Sequence, residues 1–211
     1  MKKSYKHLDQ LLSDHKRKRA LIRKRLADFR AITPHQYFYE LAYCFMTPQS
    51  SAVNAAMAQQ ELMAIDFQHS DVDPQPVLDR RDHYIRFHRT KAVLLMKMKT
   101  EYNAILSMLS NEDSAFQKRE LLVKNVKGIG YKEATHFLRN VGLNDGLAIL
   151  DRHILRCLKK HNVIRSLPKS LTGKKYLSLE RRFQEFADQI GISVDELDLL
   201  FWSGATGEIL K

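Results

Sequence analysis

The chain has 211 residues, 44% of them hydrophobic, enough to bury a core as one or two domains. Its formal net charge of +11 and pI near 9.6 indicate a polyanionic partner, nucleic acid before an acidic membrane. Its two cysteines, Cys44 and Cys157, form no C-x-x-C pair, and its nine histidines form no metal-ligand pattern, which excludes a disulfide framework, an iron–sulfur cluster and a structural metal site.

Residues 8–30 read as a helix with Leu8, Leu11, Leu12, Ile22, Leu26 and Phe29 on its apolar side. The basic run His15–Arg19, continued by Arg23, Lys24 and Arg25, is either a solvated face or a phosphate-contacting one. Thr33-Pro34 opens a second helix with an apolar face from Tyr37 to Met46. Thr47 and Pro48 then signal a helix from Ser50 to Ala64, with Gln49 exposed at its start. Residues 67–82 are polar, contain two prolines and read as a loop. Phe87 and His88 lie among arginines before a helix over 90–108, whose methionine-rich side fits plastic core.

Ser110 to Asp113 is expected to begin the next helix, with its acids at the positive end of the dipole. It leads into Leu121–Leu158, the stretch around which the chain is organised. There a helical run stops at Gly128-Ile129-Gly130 and another starts at once, with Ala134, Phe137, Leu138 and Val141 on one side and Gly142 as its stop. Two glycines around an apolar residue make a tight hairpin whose backbone admits a phosphate, and the N–H groups opening the second helix offer an anion site. Lys132 lies in that helix's first turn, and Asp151 stands ready to cap a helix over 152–160. A basic loop over 161–175, a helix over 179–190 and a last helix ending near Trp202 complete the chain. The tail after Trp202 is too short and polar to pack alone. Nothing alternates over a strand's length, so the fold class is all-α. No apolar run approaches the roughly 18 residues of a bilayer span, and the first residues lack the apolar core of a signal peptide. A soluble, intracellular, cytoplasmic protein is expected.

The string KGIGYKEATHFLRNVG, the segment Asp151-Arg-His-Ile-Leu-Arg156 and the ending Trp202-Ser-Gly-x-x-Gly-Glu-Ile-Leu-Lys211 resemble the helix-hairpin-helix DNA glycosylases, and among them the type 2 8-oxoguanine DNA glycosylase/lyases. The resemblance implies two helical lobes with a DNA and base cleft between them, one lobe over 35–142 and the other combining 1–34 with 143–211. It implies Lys132 as nucleophile and Asp151 as its assisting carboxylate. It places Trp202, Lys211 and Phe87 at the extruded base, and Gln49, Lys127, Gly128 and Gly130 on the DNA. The partner implied is double-stranded DNA containing oxidised guanine. A monomer without cofactor or metal is expected.

These residue types suit that chemistry. Breaking the bond from C1′ to the base develops a cationic sugar, which a carboxylate stabilises. An amine attacking C1′ leaves a Schiff base that promotes β-elimination of the 3′ phosphate, and a first helical turn disfavours positive charge. Two other readings stand beside this one. One is a glycosylase for oxidised pyrimidines of the endonuclease III type, against which the missing cysteine cluster weighs. The other is a non-catalytic helix-hairpin-helix DNA-binding module, in which Lys132 is a solvated lysine and Asp151 only a helix cap.

Overall fold

The computed structural model describes residues 4–207 and 209, and among these it is helical with no strand. The chain divides into two compact units, Ile32–Val141 and Met1–Ala31 with Gly142–Lys211.

The first unit is built around α2 (Tyr37–Met46), entered from a 3-10 turn at Pro34–Gln36 that Thr33 and Gln36 close as a capping box. Nine of its ten residues are buried, so α2 is apolar almost all round, as a central helix must be. It packs against α3 (Ala52–Ala64), α5 (His88–Leu109) and α7 (Tyr131–Asn140). Phe38 meets Tyr102 edge-on with ring centroids 5.0 Å apart, and Tyr37 meets Phe137 at 6.2 Å. The one acid of α2, Glu40, is buried but satisfied, accepting from Gln59 at 3.0 Å and from Asn140 at 3.1 Å.

Four details differ from the sequence reading here. Thr47 ends α2 rather than starting α3, whose cap is Ser51, accepting from the Asn54 N–H at 3.0 Å. The polar stretch 67–82 contains a one-turn helix, α4 (Gln75–Leu78), in which prolines 74 and 76 occupy positions where a missing N–H costs nothing. Helix α5 starts two residues early, at His88. The acids at 112 and 113 lie in a turn, and α6 (Ala115–Asn125) starts after Ser114, whose hydroxyl and Gln117 form a capping box.

The second unit holds α1 (Leu8–Arg30), α8 (Arg152–Lys160), α9 (Gly173–Ile190) and α10 (Val194–Thr206). Helix α10 packs on the other three. Gly142, at φ +71, lies so close to α1 that an added Cβ would stand 2.6 Å from the Arg30 Cα, which only glycine tolerates. Helix α9 starts at Gly173, six residues before the expected position, because Thr172 caps it. Helix α10 runs beyond Trp202, and Ser203 is buried, so the segment after Trp202 is not a separate tail at its start.

The basic run of α1 is only partly a free surface. His15 and Arg23 turn inward to Glu196 of α10, each at 2.7 Å, while Arg17 pairs with Asp14 at 2.6 Å. Burial alone would raise the Glu196 carboxyl, but the bonds from Arg23 and His15 outweigh it and hold the group below its ordinary 4.5. A carboxyl held low stabilises the fold fully above the unfolded value and loses that contribution as the pH falls through the folded one. Stability is therefore expected to drop below pH 4.5, and Glu196→Ala should remove that part of the drop. At pH 7 the variant should lose about 2–3 kcal/mol in denaturant unfolding, less than a fully buried pair because Arg23 relaxes into water.

Candidate active site

The hairpin between α6 and α7 is shaped by unequal glycines. Gly128 holds φ +93, and a Cβ there would stand 2.8 Å from a Leu94 methyl and 3.1 Å from the Phe45 ring. Backbone conformation and packing both demand glycine. Gly130 is extended at φ −103 and caps α7, so its positive-φ freedom is unused. A Cβ there would sit 3.2 Å from the Glu133 carboxylate, and its absence leaves room for that side chain. Between them Ile129 is buried and anchors the loop, while Lys127 and Gly128 are exposed.

The first intrahelical bond of α7 runs from the Ala134 N–H to the Gly130 carbonyl at 2.9 Å. The amides of Tyr131, Lys132 and Glu133 precede it and have no acceptor in the helix ladder. Lys132 occupies this first turn with its side chain 24% exposed, and its Nζ lies 3.6 Å from a Glu133 carboxylate oxygen. Glu133 was not singled out in the sequence. The hydrophobic face of α7 holds this turn, since Ala134, Phe137 and Leu138 are fully buried.

Gln49 and Phe87 belong to the same unit as Lys132. Both are exposed, and both take left-handed backbone angles, φ +57 and φ +61. Such angles in non-glycine residues cluster where function imposes them. The Arg86 guanidinium covers the Phe87 ring at 4.9 Å.

Asp151 is placed by the apolar segment 147–150 that precedes it. This segment is non-helical and buried, and α9 pins it at three points. Tyr176 donates to the Ala148 carbonyl at 2.5 Å and accepts from the Leu150 N–H at 3.1 Å, while Glu180 accepts from the Ala148 N–H at 2.9 Å. One Asp151 oxygen accepts from the Ile154 N–H at 2.7 Å and so caps α8. No hydrogen bond engages the other oxygen among the described residues.

Trp202 lies on α10, half-buried, and His153 of α8 packs on it with ring centroids 5.1 Å apart. His153 Nε2 is 2.8 Å from the Phe201 carbonyl, which fixes the ring that links the start of the Asp151 helix to the tryptophan. No sequence pattern marked His153 for this role. Beside it a cavity of about 550 Å³ is lined by His7, Arg17, Arg156, Lys160 and Phe201 among others. Lys211 lies outside the described residues.

Only one group of side chains among the described residues has metal-ligand spacing, Glu61, Asp82 and His83, whose ligand atoms lie within 4.8 Å of one another. Arg80 already bonds both carboxylates, at 2.9 and 3.1 Å, and supplies the neutralising charge.

Comparison with known proteins decides the family. The sequence matches the Ogg-HhH family of 8-oxoguanine DNA glycosylases over residues 22–192. The chain belongs to the Ogg-HhH family. Among its relatives, the 8-oxoguanine DNA glycosylase/AP lyase of Fusobacterium nucleatum is 36% identical over the whole of both chains. That of Methanocaldococcus jannaschii is 36% identical over 90% of this chain and 92% of its own. The crystal structure of the Thermotoga maritima 8-oxoguanine DNA glycosylase superposes with a TM-score of 0.85 at 32% identity, covering 97% of this chain and 98% of the other. The M. jannaschii glycosylase/lyase in complex with a 15mer DNA containing 8-oxoguanine gives 0.83 at 32% identity, over 96% and 100%. Among the described residues the chain is all-helical, and no described helix is long and apolar enough to cross a membrane.

Proposed function

We propose that this Ogg-HhH protein removes 8-oxoguanine from duplex DNA and cleaves the abasic strand, with Lys132 as nucleophile and Asp151 as the assisting carboxylate. The observation that carries this reading is Lys132 itself. It is a partly buried lysine in the first turn of a helix opened by a glycine hairpin, in a chain whose relatives are 8-oxoguanine DNA glycosylase/AP lyases.

In this reading the Lys132 amine, neutral when it attacks, bonds to C1′ of the sugar. The bond to the base nitrogen breaks, and the base leaves with its electron pair and gains a proton. The uncommitted Asp151 oxygen stabilises the cationic sugar and accepts the amine's proton. Ring opening gives a Schiff base on Nζ, and loss of a C2′ proton expels the 3′ phosphate. The free amides opening α7, with Lys127, Gly128 and Gly130, hold a backbone phosphate. Gln49 fills the space left by the extruded base. Trp202 and Phe87 offer ring faces to that base, and Lys211 reads it, a role carried by the resemblance alone. The protein acts as an intracellular monomer without a cofactor.

The test is incubation with duplexes containing 8-oxoguanine, thymine glycol or undamaged guanine. Base release and strand cleavage on the first alone are expected. A preference for thymine glycol would move the substrate to oxidised pyrimidines, and binding without release on any duplex would make the chain a DNA-binding module.

A further inference from the structure

Lys91 is 5% exposed, although it stands in the first turn of α5, where the helix dipole opposes a cation. A buried ammonium is tolerated only when its donors are satisfied. Here three donors meet three acceptors: the Met46 carbonyl at 2.7 Å, the Pro48 carbonyl at 2.7 Å and the Ser50 hydroxyl oxygen at 3.2 Å. Met46 is the last residue of α2, so Lys91 caps from another helix a carbonyl at the negative end of the α2 dipole.

The other two acceptors govern shape. Holding the Pro48 carbonyl fixes the plane of the peptide that leads into Gln49, a residue at φ +57. A left-handed angle in a residue with a Cβ persists only when its surroundings over-determine it. Ser50 Oγ accepts in addition from the Arg86 N–H at 3.0 Å, and the next residue is Phe87 at φ +61. Two of the five described non-glycine residues with positive φ are therefore tied, directly or through one serine, to a single ammonium. Burial pulls that ammonium down to about 8, with the Lys132 charge acting in the same direction and Glu133 opposing, so it is still charged at neutral pH.

We propose that Lys91 is a positioning residue for the repair reaction: its buried ammonium locks the Gln49 turn to the Arg86–Phe87 step and so presets both side chains for the duplex. The inference rests on the reading that Gln49 and Phe87 meet DNA. A duplex then finds these contacts already ordered and does not have to freeze them on binding.

Excision of 8-oxoguanine under single-turnover conditions separates this role from a merely structural one. Lys91→Met should raise the half-saturating concentration about tenfold while the saturating rate changes less than about threefold, the pattern of lost binding without lost chemistry. Gln49→Ala and Phe87→Ala, both at exposed positions, should each move the same quantity in the same direction by less. If both were at wild-type values, the DNA-contact reading beneath the proposal would be overturned. If they were shifted and a folded Lys91→Met were not, the role of Lys91 alone would be overturned. A Lys91→Met defect confined to the saturating rate would also overturn it, placing the lysine in the chemistry. Should Lys91→Met not fold, Ser50→Ala takes its place, removing the shared acceptor at a half-exposed position. It should raise the half-saturating concentration severalfold, and a wild-type value would contradict the proposal.

Discussion

Replacing Lys132 by glutamine is expected to abolish both borohydride trapping on abasic DNA and strand cleavage. Glutamine has a similar length and helix propensity, so α7 should persist. Its amide nitrogen is not a nucleophile, so no Schiff base forms. Duplex affinity should survive, because one charge is lost from a surplus of +11. The drop in trapping should reach the detection limit, while the salt dependence of binding to undamaged duplex changes by no more than about one unit of log–log slope. Trapping at wild-type yield would assign the chemistry to another amine.

The second large effect is expected at Asp151, where two roles are separable. The carboxylate caps α8 through one oxygen, at 2.7 Å from the Ile154 N–H. Asparagine keeps that acceptor, and asparagine and aspartate cap almost equally well. Asp151→Asn should therefore melt like the wild type, yet excise at least ~100-fold more slowly, the scale of losing one electrostatic stabiliser. Asp151→Ala should add a stability loss of about 1 kcal/mol to the same catalytic defect. Normal turnover in the asparagine variant would reduce Asp151 to a helix cap.

Much of this architecture was legible in the sequence because local signals and tertiary demands agree. Helix α8 occupies 152–160 as expected, since Asp151 caps it and its apolar residues follow the helical period. Helix α1 likewise spans 8–30 despite its basic run. At α4 and at the start of α9 the reading failed. α4 has Pro74 as its cap and Pro76 in its first turn, a pair usually taken for a loop, and α9 begins on Gly173 because Thr172, not its first residue, supplies the cap. The candidate site follows the same division. Lys132 and Asp151 are marked by local strings, and the structure gives each a defined setting in its own unit. Lys91 could not be read, because nothing in Arg-Thr-Lys-Ala distinguishes a lysine that buries its ammonium against α2 from one in solvent. His153 on Trp202 and Tyr176 on the segment 147–150 are long-range contacts of the same kind.

The central claim is that one lysine carries the covalent chemistry. Its most direct test is to trap the wild-type protein with borohydride on a duplex containing 8-oxoguanine, digest the adduct with trypsin and map the modified peptide. A reduced adduct on Lys132 blocks cleavage there, so the sugar remnant is expected on the peptide spanning 128–139. Its appearance on any other lysine, or the absence of an adduct while 8-oxoguanine is released, would contradict the account.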